Sequence, residues 1–258
     1  MTSVEFILYI LAGAVVGLAV GITGVGGGSL MTPMLLAFGF PLNVAVGTDL
    51  MYAAVTKGGG VIAYARQQAV RWDLVGLLAT GGLPASAVSV AVLKYGFESP
   101  DQYTQLISTV LGFTLILTSL AIVFRHRLAR LGGDWAAAGA RKLWLMPAMG
   151  AVLGVLVTFS SVGAGAIGTA ILMMFYPRLK ALRVVGTDIA HAVPLTLFAG
   201  MGHLFLGNVD FLLLGALLLG SLPAVSLGAR LGKLIPDTAM RPVLATILFG
   251  VGVKVGFF

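Results

Sequence analysis

The chain has 258 residues, 59% of them hydrophobic and only 10% charged, with a mean hydropathy of +1.04. A soluble domain carries about 45–50% apolar and about 25% charged residues, so a water-soluble fold of this size could not hide the excess and lipid must solvate it. The absence of cysteine excludes disulfides and thiolate metal sites, and the net charge of +7 reads as loop Lys and Arg that fix membrane orientation, not as a nucleic-acid surface.

The apolar runs are continuous rather than alternating, which points to spanning helices and against a barrel. The first, 4–23, follows an amino end (Met1-Thr2-Ser3-Val4-Glu5) with no basic region, so it is read as a spanning helix and not as a removed signal peptide. Further long runs cover 44–65, 72–93, 102–124, 143–160, 184–206, 209–229 and 241–258. Two more, 29–38 and 166–176, are too short to cross, because a helix gains only 1.5 Å per residue against a core of about 30 Å. Each follows a glycine-rich break and is expected to be a half-helix or re-entrant segment.

Basic residues gather in alternate loops: Arg66 and Arg71, then Arg125 to Lys142, then Arg178 to Arg183, then Arg230 to Arg241, together 13 of the 16. Assigning this set to the cytoplasm puts both termini outside and gives the two halves opposite orientation. The halves also match in sequence. Gly47-Thr48-Asp49 pairs with Gly186-Thr187-Asp188, and Gly81-Gly82-Leu83-Pro84-Ala85 with Gly220-Ser221-Leu222-Pro223-Ala224, both at an offset of 139. The break Gly24-Val25-Gly26-Gly27-Gly28 pairs with Val162-Gly163-Ala164-Gly165 at 137. The expected fold is an all-α polytopic membrane protein with an inverted internal repeat, eight spanning helices and two short half-helical segments. Residues 1–124 form the first membrane repeat, 125–142 a basic cytoplasmic linker and 143–258 the second repeat.

Breaking a helix inside the bilayer frees N–H groups, and the following half-helix presents them with a partial positive charge. Near the midplane this makes an anion site from main chain. Gly26, Gly27, Gly28 and Ser29 would build it in the first copy and Gly163 and Gly165 in the second, with hydroxyls from Thr32, Ser160, Ser161 and Thr169. The competing reading is that the glycines only let helices pack closely. Asp49 and Asp188 are acids within spans, where an ionisable group faces a cavity or a partner. Lys57 cannot pair with Asp49 along one helix, since eight residues put it about 80° round and about 12 Å away. It must find a partner elsewhere or meet the anion. Asp188 and His191, at i and i+3, share a face and form either a proton-carrying pair or a structural hydrogen bond. His203, toward the far end of the same run, suits a snorkelling or capping role. Pro84 and Pro223 predict matched kinks. The three histidines lack metal-ligand spacing, and the first glycine run lacks the Lys-Ser/Thr sequel of a P-loop, so no enzyme, metal or cofactor is expected.

The stretch Gly24-Val25-Gly26-Gly27-Gly28-Ser29, with Pro33 and Ala45-Val46-Gly47-Thr48, resembles the sulfite exporter (TauE/SafE) family of membrane permeases. The resemblance implies a multi-pass protein of the bacterial inner membrane that moves small sulfur-containing anions such as sulfite or sulfonates. It implies that Gly26, Gly27, Gly28, Thr48, Gly163, Gly165 and Thr187 line the path. Two features depart from that pattern: the second break reads Val-Gly-Ala-Gly, and Asp follows Thr in both copies where Ser is the familiar neighbour. Acids beside an anion site fit coupling to protons, with Asp49, Asp188 and His191 as carriers. The alternatives are a cation or metal carrier using the two acids, or an intramembrane enzyme acting on a lipid. Expected partners are a small anion, membrane lipid and protons.

Overall fold

The structure is a computed structural model describing residues 3–23, 28–131, 141–231 and 237–257. Ten helices account for the regular structure among these residues: α1 (Ser3–Thr23), α2 (Gly28–Ala37), α3 (Leu42–Arg66), α4 (Trp72–Tyr95), α5 (Pro100–Leu131), α6 (Arg141–Ser160), α7 (Ala166–Phe175), α8 (Ala181–Phe205), α9 (Phe211–Leu231) and α10 (Asp237–Phe257). Each apolar run of the sequence has become one helix. The two short runs are the ten-residue helices α2 and α7, each about 15 Å long.

Among the described residues, five stretches are long and apolar enough to cross a membrane: Ser3–Ile22, Trp72–Tyr95, Gln102–Phe124, Ala181–Phe205 and Phe211–Gly228. Helix α3 has 25 residues but carries Asp49 and Lys57 within them. The apolar parts of α6 and α10, Trp144–Ser160 and Pro242–Gly256, are shorter. Large apolar side chains such as Val4, Ile7, Leu11, Val88, Phe113 and Leu219 lie exposed on the outer helix faces, as lipid-facing positions require. Helix α5 runs on to Leu131, so the basic stretch after residue 124 begins inside a helix.

The packing pairs the helices across the halves. Helix α1 lies along α9, and α6 lies along α4; α3 crosses α8, and α5 packs on α10; the short helices α2 and α7 rest on α3 and α8. Buried apolar side chains of α3 (Val46, Leu50) and α8 (Ala192, Leu195) belong to the main core, and Pro84 and Pro223 sit inside α4 and α9.

Helices α3 and α8 end in the same turn. The N–H of Ala69 donates to Tyr64 O (3.0 Å) and that of Gln68 to Ala65 O (3.0 Å). Asn208 donates to His203 O (2.9 Å) and Gly207 to Leu204 O (3.0 Å) in the same way. This is a Schellman closure, whose C′ residue adopts left-handed backbone. At that position the second copy has Gly207 (φ 76°), whereas the first has Gln68 (φ 53°). A residue with a Cβ is strained there by about 1–2 kcal/mol. Gln68→Gly is therefore expected to stabilise the protein by up to about 1 kcal/mol, read as a raised midpoint of thermal unfolding in detergent, with the flexibility of glycine offsetting part of the gain.

Candidate functional site

Helix α6 stops at Ser160, and the chain turns through Ser161 (φ 57°), Gly163 (φ 119°) and Gly165 (φ 135°) before α7 begins at Ala166. The two glycines are needed because an L side chain is disfavoured at such angles. Ser160 Oγ ties the corner by donating to Leu156 O (2.6 Å) and accepting from Val162 N–H (3.1 Å). Thr169 Oγ1 donates back to Gly165 O (2.6 Å), which commits it to its own turn. The chain is thus broken at Gly163 as expected. In the first copy Gly26 and Gly27 lie outside the described residues, while Gly28 and Ser29 open α2.

The broken segments meet the acids. Asp49, on α3, is fully buried, and its Oδ2 accepts from both Thr32 N–H (3.2 Å) and Thr32 Oγ1 (2.5 Å) in the first turns of α2. Its Oδ1 is buried with no hydrogen bond, as is Ser161 Oγ, which lies beside the carboxylate. Asp188, on α8, is only 2% exposed. It presses against α7 so closely that a Cβ on Gly168 would fall on its Oδ1, and the Gly165 N–H points at the carboxylate. Each short helix therefore donates to a carboxylate of the protein itself, α7 from its amino end and α2 from Thr32, its fifth residue.

Lys57 supplies the opposing charge. It is 5% exposed, and its Nζ donates to Ala164 O (3.1 Å), the carbonyl between the two glycines of the second break. Both Asp49 and Asp188 act on it electrostatically. A lysine of the first half thus plugs into the unwound backbone of the second, and the partner missing from its own helix lies there.

The other expected residues fall in two places. Thr48 and Thr187 are buried, but their hydroxyls are used elsewhere: Thr48 Oγ1 accepts from Asp210 N–H (3.1 Å) and Thr187 Oγ1 from Arg71 N–H (3.0 Å). Each threonine clamps its helix to the loop that follows the last turn of the other half's crossing helix. His191 is buried next to Asp188 in sequence, yet neither ring nitrogen forms a hydrogen bond, so the two are not joined. Its Nε2 faces Gly82 of α4, at 3.2 Å from where a Cβ would stand. His203 does not snorkel: it is fully buried, with Nε2 on Thr158 O (2.9 Å) and Nδ1 facing Asn208 Nδ2 (3.3 Å).

One residue escaped the sequence reading. Tyr52 lies three positions after Asp49, as His191 lies three after Asp188, and its hydroxyl is buried facing Ser221 of α9, with neither oxygen in a regular hydrogen bond. Tyr52 and His191 stand 139 positions apart, as do Gly82 and Ser221. Extending the offset along the helix would have found it. No cluster of three or more His, Cys, Asp or Glu side chains suited to a metal ion occurs among the described residues.

Buried ionisable groups gathered at a helix break, inside a bundle that shows apolar side chains outward, define a multi-pass helical membrane protein with a polar centre. Residues 9–255 match the family described as sulfite exporter TauE/SafE. The chain belongs to that family and is a membrane transporter. It is similar to the "Probable membrane transporter protein YjnA" of Bacillus subtilis (strain 168), with 36% identity over 248 residues, 95% of this chain and 97% of that protein. It is also similar to the "Probable membrane transporter protein YdhB" of the same organism, with 26% identity over 238 residues, 92% of this chain and 94% of that one. No solved structure matches it significantly.

Proposed function

We propose that the protein is a secondary transporter for a small anion, sulfite or an organosulfonate, working by competition between that anion and its own carboxylates. The observation that carries this reading is that Asp49 and Asp188, both buried, take donors of the two short helices, Thr32 in the second turn of α2 and Gly165 at the amino end of α7, beside the breaks where a main-chain anion site belongs. An ionised acid holds those donors closed. Once protonated it no longer needs them, and an entering anion takes its place as acceptor. Proton and anion then move together, because either alone leaves uncompensated charge in a dry interior. Lys57, on Ala164 O, is the cation that the anion meets. Gly163 and Gly165 shape the unwound backbone around it, and Gly26, Gly27, Gly28 and Ser29 would line the path on the first-copy side. Thr48 and Thr187 hold the two crossing helices in place, and His191, one turn along α8 from Asp188 and turned to α4, is a further proton acceptor.

The architecture that supports this motion is an inverted repeat, 1–124 and 143–258 joined through 125–142, with eight spanning helices and both termini on the outer face of the bacterial inner membrane. What supports it is that the helix contacts are unchanged in kind when the halves are exchanged: α1 on α9 becomes α6 on α4, and α3 on α8 maps to itself. The two loop clamps and the two Schellman turns obey the same exchange. Rocking of one repeat against the other would open a central site to either side in turn.

The test is uptake of radiolabelled sulfite or sulfonate into proteoliposomes, with and without a pH gradient. Lys57→Met is expected to lower anion uptake by about tenfold or more, the worth of a hydrogen bond to a charged group, while Lys57→Arg keeps part of it. Uptake by Lys57→Met at the wild-type rate would remove Lys57 from the site. The competing reading is a cation or metal carrier. Calorimetric binding of a metal ion that Asp49→Asn and Asp188→Asn abolish, with no sulfite or sulfonate uptake by the wild type, would establish it instead.

A further inference from the structure

A groove of about 440 Å³ runs between α5 and α7, and neither acid lines it. Its walls are apolar: Leu117, Ala121 and Phe124 come from α5, Ile171 and Met174 from α7. One cation closes it, Arg127. The apolar stretch of α5 ends at Phe124, and the helix continues to Leu131, so its 32 residues reach about 48 Å, well beyond a hydrocarbon core of about 30 Å. Arg127 therefore stands one turn past the apolar stretch, at headgroup depth, while the groove below it lies at acyl-chain depth. The guanidinium carbon rests 5.6 Å from the centre of the Phe124 ring. A guanidinium held against a ring still has N–H donors that can fork onto an oxyanion.

From this juxtaposition we infer that the α5–α7 groove is a binding site for an anionic glycerophospholipid, with one acyl chain between the helices and the phosphate on Arg127. The volume falls within the range of about 300–1,000 Å³ typical of ligand sites. An anionic headgroup gains about 1 kcal/mol from each basic side chain at the surface, which a zwitterionic one largely forgoes. The occupant would lie directly against α7, whose amino end faces Asp188, so the lipid braces the half-helix that carries the second break.

The experiment uses the full-length protein in a mild detergent, titrated with phosphatidylglycerol or phosphatidylcholine of identical chains and read by native mass spectrometry and thermal unfolding. The wild type is expected to retain phosphatidylglycerol about fivefold more strongly, with a larger rise in unfolding temperature. Arg127→Gln should bring the two lipids to parity, and Arg127→Lys should keep part of the preference. Leu120→Trp, at a half-exposed groove position, should reduce retention of both lipids by filling the acyl slot. Equal retention of the two lipids by the wild type, or an undiminished preference in Arg127→Gln, would overturn the proposal. These readouts do not involve anion transport, so they stand or fall apart from the proposed function.

Discussion

Exchanging Asp49 and Asp188 together for asparagine is expected to abolish the dependence of anion uptake on a pH gradient. Asparagine has nearly the size of aspartate and can accept from Thr32 and from the Gly165 N–H, but it carries no charge and no titratable proton. The contest between this side chain and the anion for the donors of α2 and α7 is then the same at every pH. Concentrative uptake driven by the gradient should fall about 10- to 150-fold, the range corresponding to about 1.5–3 kcal/mol for a charged hydrogen bond, and binding of the anion should become flat with pH. The single variants differ. Asp49 is held by two donors of Thr32, whereas Asp188 packs on the bare Gly168, so Asp49→Asn is expected to affect stability more and Asp188→Asn coupling more. Gradient-driven uptake by the double variant at the wild-type rate would eliminate the coupling mechanism.

Substituting the crossing glycines should have the largest effect on folding. A Cβ on Gly81 would land on the carbonyl oxygen of Pro147, and one on Gly220 on that of Ile10. Backbone cannot step aside as a side-chain end can, so α4 must move off α6, or α9 off α1. Overpacking typically costs about 1–3 kcal/mol, and separating a whole helix crossing places Gly81→Val and Gly220→Val at or beyond the upper end. Both are expected to lose most folded protein in detergent, measured by size-exclusion recovery and unfolding temperature. The paired nature of the effect is the informative part: equal losses at Gly81 and Gly220 follow from equivalent crossings. Gly215 and Gly250, where an added Cβ meets nothing nearby, should tolerate alanine.

Much of this was legible because the bilayer imposes a simple rule. Within it the backbone must satisfy itself, so each continuous apolar run becomes a helix, and a run of ten residues cannot be a span. The ends of α2 and α7 fell within a residue or so of the apolar runs for that reason. The glycine break at Gly163 was legible because positive φ selects glycine, and the burial of Asp49 and Asp188 followed from their place inside apolar runs.

Partner choice was not legible. Nothing local says that Thr32 would bind Asp49, that Lys57 would reach Ala164 O in the other half, or that the hydroxyls of Thr48 and Thr187 would be taken by Asp210 and Arg71. The i, i+3 spacing placed Asp188 and His191 on one face but not in a hydrogen bond, since side chains on a shared face still diverge toward different neighbouring helices; His191 turns to Gly82 on α4. His203 offered the same lesson, because its position near a helix end suggested the interface while the packing of α6 and the 208 loop enclosed it.

The sequence by itself determined the solvent, the helices, the two breaks and the acids, because hydropathy and backbone conformation are properties of short stretches. Only the tertiary structure decided that the short helices already donate to the protein's own carboxylates. That depends on how closely α2 and α7 approach α3 and α8, a distance set by packing across residues far apart in the chain.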